Sequence, residues 1–149
     1  MKTEAFIQLK RVLAAVPRRN FDLRLWALPR PGCGTTGCAA GWAALDPWFQ
    51  ERGFYLASPD SFRVVHTTQE LLAVPPDSRF SLSPTYNSWR GFRALSEFFD
   101  IEGEIAEEIF SADSYPPDAS PGLVIEKIDR LLADPHAFDR LPIKGSPSP

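Results

Sequence analysis

Cys33-Gly34-Thr35-Thr36-Gly37-Cys38-Ala39-Ala40-Gly41-Trp42-Ala43-Ala44 sets two thiols, three glycines and a run of very small side chains around one large aromatic. Thr35 or Thr36 is placed to cap a helix from about Gly37 to Leu45, which Asp46-Pro47 ends. On that helix Cys38, Gly41, Trp42 and Leu45 share one stripe by their i, i+3, i+4, i+7 spacing, while Ala39, Ala40, Ala43 and Ala44 keep the other faces small. No charge occurs between Thr35 and Leu45. A helix this thin and uncharged is expected to be surrounded by other chain, as the central packed element of the fold.

Working outward, Phe6, Leu9, Leu13 and Val16 recur at helical spacing from a Thr3 cap, and Pro17 stops the pattern. Phe21, Leu23, Leu25, Trp26 and Leu28 form an apolar cluster broken off by Pro29, Pro31 and Gly32, with no strand expected over Pro29-Arg30-Pro31. Phe54–Ala57 and Phe62–His66 flank the turn-forming Ser58-Pro59-Asp60-Ser61 and predict a β-hairpin. A helical turn follows from Gln69 to Val74, and Phe80–Ser83 alternates as a third strand. Trp89, Phe92, Leu95 and Phe99 mark one helix. After a bend at Asp100–Gly103, Ile101, Ile105, Ala106, Ile109 and Phe110 mark a second. Ser120-Pro121 starts a last helix, with Val124, Ile128, Leu131 and Leu132 on its buried face. The expectation is an α+β fold, mostly helical, with a small antiparallel sheet: a single globular domain over 1–141 and a disordered tail over 142–149.

The chain has 149 residues, a net charge of −3 and two cysteines. It lacks a long apolar run and an amino-terminal apolar segment with a cleavage site, so the expectation is a soluble, cytoplasmic protein with no membrane partner and reduced thiols. The small net charge conceals an asymmetry. From Met1 to Arg30 seven basic residues face two acidic ones, whereas from Glu97 to Asp139 twelve acidic residues face two basic ones. An acidic pI of about 5.4 argues against direct nucleic-acid binding. Glu102, Glu104, Glu107, Glu108, Asp113 and Asp118 lie close together without matching cations in the sequence around them. They read either as a solvated helix face or as a partner-binding surface for a basic host protein or protein–nucleic acid complex.

Catalytic and cofactor signatures are weaker. A thiol at a helix N-terminus has its thiolate stabilised, so Cys38 or Cys33 with His66 as base is the candidate for a cysteine-dependent hydrolase or transferase. The competing reading makes the cysteine a small buried hydrophobe. Cys33, Cys38, His66 and His136 exhaust the sulfur and imidazole ligands and lack the paired spacing of zinc motifs, so neither metal nor other cofactor is expected. Gly32, Gly34 and Gly37 lack the Gly-Lys-Ser/Thr of a phosphate-binding loop.

Asn20-Phe21-Asp22-Leu23, Trp26, the Cys-Gly-Thr-x-x-Cys-Ala-Ala-Gly-Trp-Ala segment, Phe98-Phe99-Asp100-Ile101 with Glu107–Ser111, and Pro121 with Val124 and Ile128 together resemble a group of short uncharacterised phage and bacterial proteins. The likeness covers most of the chain outside the hairpin, and its specific part is the cysteine-glycine segment. The resemblance implies a phage or mobile-element setting and carries no activity. The function it leads to is a non-enzymatic protein-binding module, an inhibitor of a host nucleic-acid-handling, defence-type complex, acting through its acidic helical face.

Overall fold

The computed structural model describes residues 1–30, 34–58, 64–75 and 82–139. Cys33, residues 59–63 of the predicted hairpin, Phe80 and Ser81, and residues 140–149, which include the predicted tail, lie outside the described residues. Seven α-helices and two antiparallel sheets make up the described chain, an α+β fold as the sequence leads one to expect. The order is α1 (Thr3–Ala14), β1 (Ala27–Arg30), β2 (Gly34–Gly37), α2 (Ala39–Ala44), α3 (Pro47–Gln50), β3 (Tyr55–Ala57) and β4 (Val64–Val65). It continues through α4 (Thr68–Ala73), β5 (Ser83–Tyr86), β6 (Trp89–Arg90), α5 (Gly91–Phe99), α6 (Gly103–Phe110) and α7 (Pro121–Ala133).

The quoted segment folds differently at its start from the sequence expectation. Gly34–Gly37 is strand β2, paired antiparallel with β1 from Ala27↔Gly37 to Arg30↔Gly34, so neither Thr35 nor Thr36 caps a helix. Instead the Thr35 hydroxyl donates to that of Thr68 at 2.9 Å, and the helix begins after Cys38, whose own side chain makes no cap. A strand therefore does cover Pro29. Its missing N–H is tolerable in a sheet of two strands only, and the antiparallel pairing differs from the parallel strand–turn–helix unit of dinucleotide folds.

The expectation for α2 holds: Ala39, Ala40, Gly41, Ala43 and Ala44 are all buried. The reason lies in one close approach. A Cβ built on Gly41 would lie 1.5 Å from the Trp26 carbonyl oxygen, and one on Gly37 would lie 2.6 Å from the same atom. The 20–27 segment is laid across β2 and α2 with no room for any side chain at these two positions. Hydrogen bonds fasten it there: Cys38 N–H to the Leu25 carbonyl (2.8 Å), Asp22 N–H to that of Gly37 (3.0 Å), and Trp42 Nε1–H to that of Asn20 (2.9 Å). Asn20, itself buried, donates through Nδ2 to the Thr35 carbonyl at 3.0 Å.

The second sheet has the order β4-β3-β5-β6, all antiparallel. The hairpin expected from the sequence is β3–β4, and the third strand lies a few residues later than expected, over Ser83–Tyr86. A fourth strand replaces the start of the predicted Trp89 helix. Asn87 and Ser88 have φ of 48° and 72°, so they form a two-residue turn that returns Trp89 opposite Tyr86. Asp46 ends α2 and also starts α3, accepting from Trp48 N–H with Pro47 in the first turn. At α1 the cap position is Lys2 rather than Thr3, with no side-chain cap bond.

Between the sheet and the helices lies a phenylalanine core. Phe6 of α1, Phe49 of α3, Phe54, Phe98 and Phe99 of α5, and Phe110 of α6 are all fully enclosed. Their rings meet in tilted and edge-on contacts, 4.6 Å for Phe6–Phe99 and 5.0 Å for Phe54–Phe98, the arrangements that ring quadrupoles favour.

Gly41→Ala is expected to lower stability by on the order of 3 kcal/mol, because backbone has to move to admit the methyl group. Gly103→Ala, where a Cβ meets nothing within 4 Å, should change stability little or raise it by a few tenths of a kcal/mol, roughly. Urea denaturation of both variants checks the pair.

Candidate functional site

Cys38 is sealed in the core. Its thiol donates only weakly, toward the Trp26 carbonyl at 3.8 Å, and burial pushes its pKa up to about 11. That is opposite to the shift an activated nucleophile needs. His66 sits one residue beyond β4 and belongs to a helix cap. Its N–H donates to the Glu70 carboxylate at 2.6 Å, its ring lies 3.7 Å from the same carboxylate, and Thr67 Oγ1 accepts from Glu70 N–H. Each of these two residues therefore has a structural partner of its own. Cys33 lies outside the described residues. His136 follows α7 at the surface, held above its ordinary pKa by hydrogen bonding to Asp139. Among the described residues no group of three metal-ligating side chains converges, and no helix is long and apolar enough to cross a membrane.

The six acidic candidates divide among three places. Glu108 turns inward, and its carboxylate takes Lys127 at 2.6 Å. The same ammonium donates to the Glu108 and Ser114 carbonyls at 3.0 and 2.7 Å and lies 3.9 Å from the centre of the Tyr115 ring. Tyr115 in turn donates to the Ile109 carbonyl at 2.6 Å, and burial drives its pKa upward. Asp118 pairs with Arg18 at 3.6 Å, and Asp113 and Asp118 line a hollow of about 470 Å³ that Arg18 and Arg24 also border. The cations of Glu108 and Asp118 come from 19 and 100 positions away in sequence, so part of the charge asymmetry is neutralised within the fold. The same holds more widely, since Lys10 of the basic first helix pairs with Asp129 of α7, and the Met1 ammonium with Asp100.

Glu102, Glu104 and Glu107 do come together, along an open groove of about 930 Å³ between the outer face of α5, the start of α6 and the segment after α7. The turn that shapes it is set by Asp100, whose φ of 53° ends α5 in a left-handed residue. Ile101 N–H reaches back to the Ser96 carbonyl at 3.1 Å, and Ser96 Oγ donates to the Ile101 carbonyl at 2.6 Å. With Glu97, Asp100 and Asp139, six carboxylates border the groove, against Arg93, His136 and the Met1 ammonium. Those cations are already engaged, Arg93 with Glu97 at 3.0 Å, His136 with Asp139 and Met1 with Asp100. The wall around Glu102 and Glu104 therefore presents net negative potential to whatever enters. Sequence reasoning missed the other part of this surface, Phe92 and Arg93, because the periodicity assigned Phe92 to the buried stripe of its helix.

No protein-family model, curated protein or solved structure matches the chain. The functional reading rests on this geometry.

Lys127→Met is expected to cost about 2 kcal/mol by leaving Glu108 half-buried and unpaired, and Glu108→Lys to be at least as damaging, both read by thermal melting. Native Cys38 is expected to resist iodoacetamide near neutral pH and to react on unfolding, as followed by peptide mass mapping. Because its folded pKa lies above the ordinary 9.0, the thiol supports the fold fully below that value. Stability should fall as pH rises from about 9 toward 11.

Proposed function

We propose that this protein is a non-enzymatic protein-binding module that takes a basic element of its partner into the groove lined by Glu102, Glu104 and Glu107. The observation that carries this is that Glu102, Glu104 and Glu107 border one concavity together with Glu97, Asp100 and Asp139, six carboxylates against three cations. The shape sets the direction of insertion. An acidic face that filled a basic groove in place of a nucleic-acid backbone has to protrude, whereas these side chains border a hollow, so the partner's basic residues enter this chain. In the phage or mobile-element setting suggested by the resemblance, the fitting partner is a host nucleic-acid-handling complex, whose lysine- and arginine-rich segments this groove would engage and inhibit. Steering by the negative wall speeds encounter and makes it salt-dependent.

The test is capture from a bacterial lysate on immobilised protein, compared with Glu102→Lys/Glu104→Lys. Both positions are exposed and outside the Lys127 cluster, so the variant should fold normally by circular dichroism. Proteins retained at low salt and released by high salt are expected on the parent and absent from the variant. Equal retention by the folded variant overturns the groove as the binding surface.

A further inference from the structure

The outer face of α5 continues past the groove into an aromatic surface. Phe92, which lines the groove, is 37% exposed, and Trp89, at the end of the sheet, is 44% exposed. Phe92 packs against the half-buried Trp26 with ring centroids 5.4 Å apart. Arg93 joins the two regions: its guanidinium lies 4.4 Å from the centre of the Trp89 ring and reaches Glu97 on the groove wall at 3.0 Å. Strand pairing with Tyr86 and the two-residue turn fix the Trp89 backbone, and the Arg93 guanidinium against its ring limits the side-chain freedom that a ligand would have to freeze. Among the described residues β6 is the last strand of its sheet, paired with β5.

We infer that Trp89 and Phe92 form an apolar shelf that binds the same partner segment as the carboxylates. That segment is then an extended peptide in which arginine or lysine side chains, entering the groove, are followed directly by aliphatic residues lying on the two rings. The inference rests on the groove reading above and narrows its partner class. A uniformly basic surface would satisfy the carboxylates and leave the rings uncovered, whereas a segment with both characters complements the whole face. Charge complementarity fixes the basic part, and two large exposed rings beside it fix the apolar part.

The test uses short synthetic peptides of equal length. Two carry the same arginines and differ only at central positions, leucine in one and serine in the other, and a third has glutamate for every arginine. Binding is read by fluorescence anisotropy at low ionic strength, with Trp89→Ser and Phe92→Ser as separate variants checked for fold by circular dichroism. The leucine peptide is expected to bind at least about fivefold more tightly than the serine peptide, and that gap to shrink below about twofold in Trp89→Ser with the serine peptide unaffected. Equal affinity of the two arginine peptides, or a gap that survives in both variants, overturns the shelf and leaves the groove standing. Arginine peptides that bind no better than the glutamate peptide overturn the groove, and the shelf with it.

Discussion

The contact between the Trp26 carbonyl and the glycine-lined surface of β2 and α2 is the constraint on which the rest of the fold depends. It lets the 20–27 segment lie directly on backbone, at a separation that any Cβ at Gly37 or Gly41 would forbid. The remaining features of the region follow from that proximity. The Cys38 thiol has a carbonyl for a neighbour and is shielded from solvent, Trp42 reaches Asn20, and Trp26 is left at the surface of the strap where it supports Phe92. A segment that reads in sequence as a close-packed interior element, with a nucleophile as the competing reading, is in three dimensions a seam between two stretches of backbone.

Much of the helical half was legible in the sequence because its apolar spacing is regular and its ends carry ordinary signals. The Asp100 bend and the Ser120-Pro121 start are both where periodicity puts them. What the sequence concealed has local physical causes. Gly34–Gly37 carries no apolar alternation, so nothing announces a strand; its pairing is decided by the strap on its other side. Trp89 fits a helical stripe by number, yet the positive φ of Asn87 and Ser88 turns it into a strand first. The carboxylates were visible as a block, but their division was not, because the cations that quench Glu108 and Asp118 come from α7 and from the turn after α1.

The candidate site follows the same logic. Local charge density suggested six equivalent carboxylates, while packing turns Glu108 onto Lys127, places Asp113 and Asp118 beside Arg18 and Arg24, and brings Glu102, Glu104 and Glu107 to the groove. Its aromatic neighbour arises because α5 buries Ala94, Leu95, Phe98 and Phe99 and turns Phe92 outward, a consequence of where the helix begins rather than of its composition.

The stretch between α6 and α7 has little apolar surface of its own to fold on. It is organised instead about the Lys127 ammonium, which is surrounded by a carboxylate, two backbone carbonyls and an aromatic face. Small loops elsewhere wrap a calcium ion with a similar set of oxygen donors. Here the positive centre is a side chain of the protein itself, so the loop's oxygen donors converge on a group that the chain supplies.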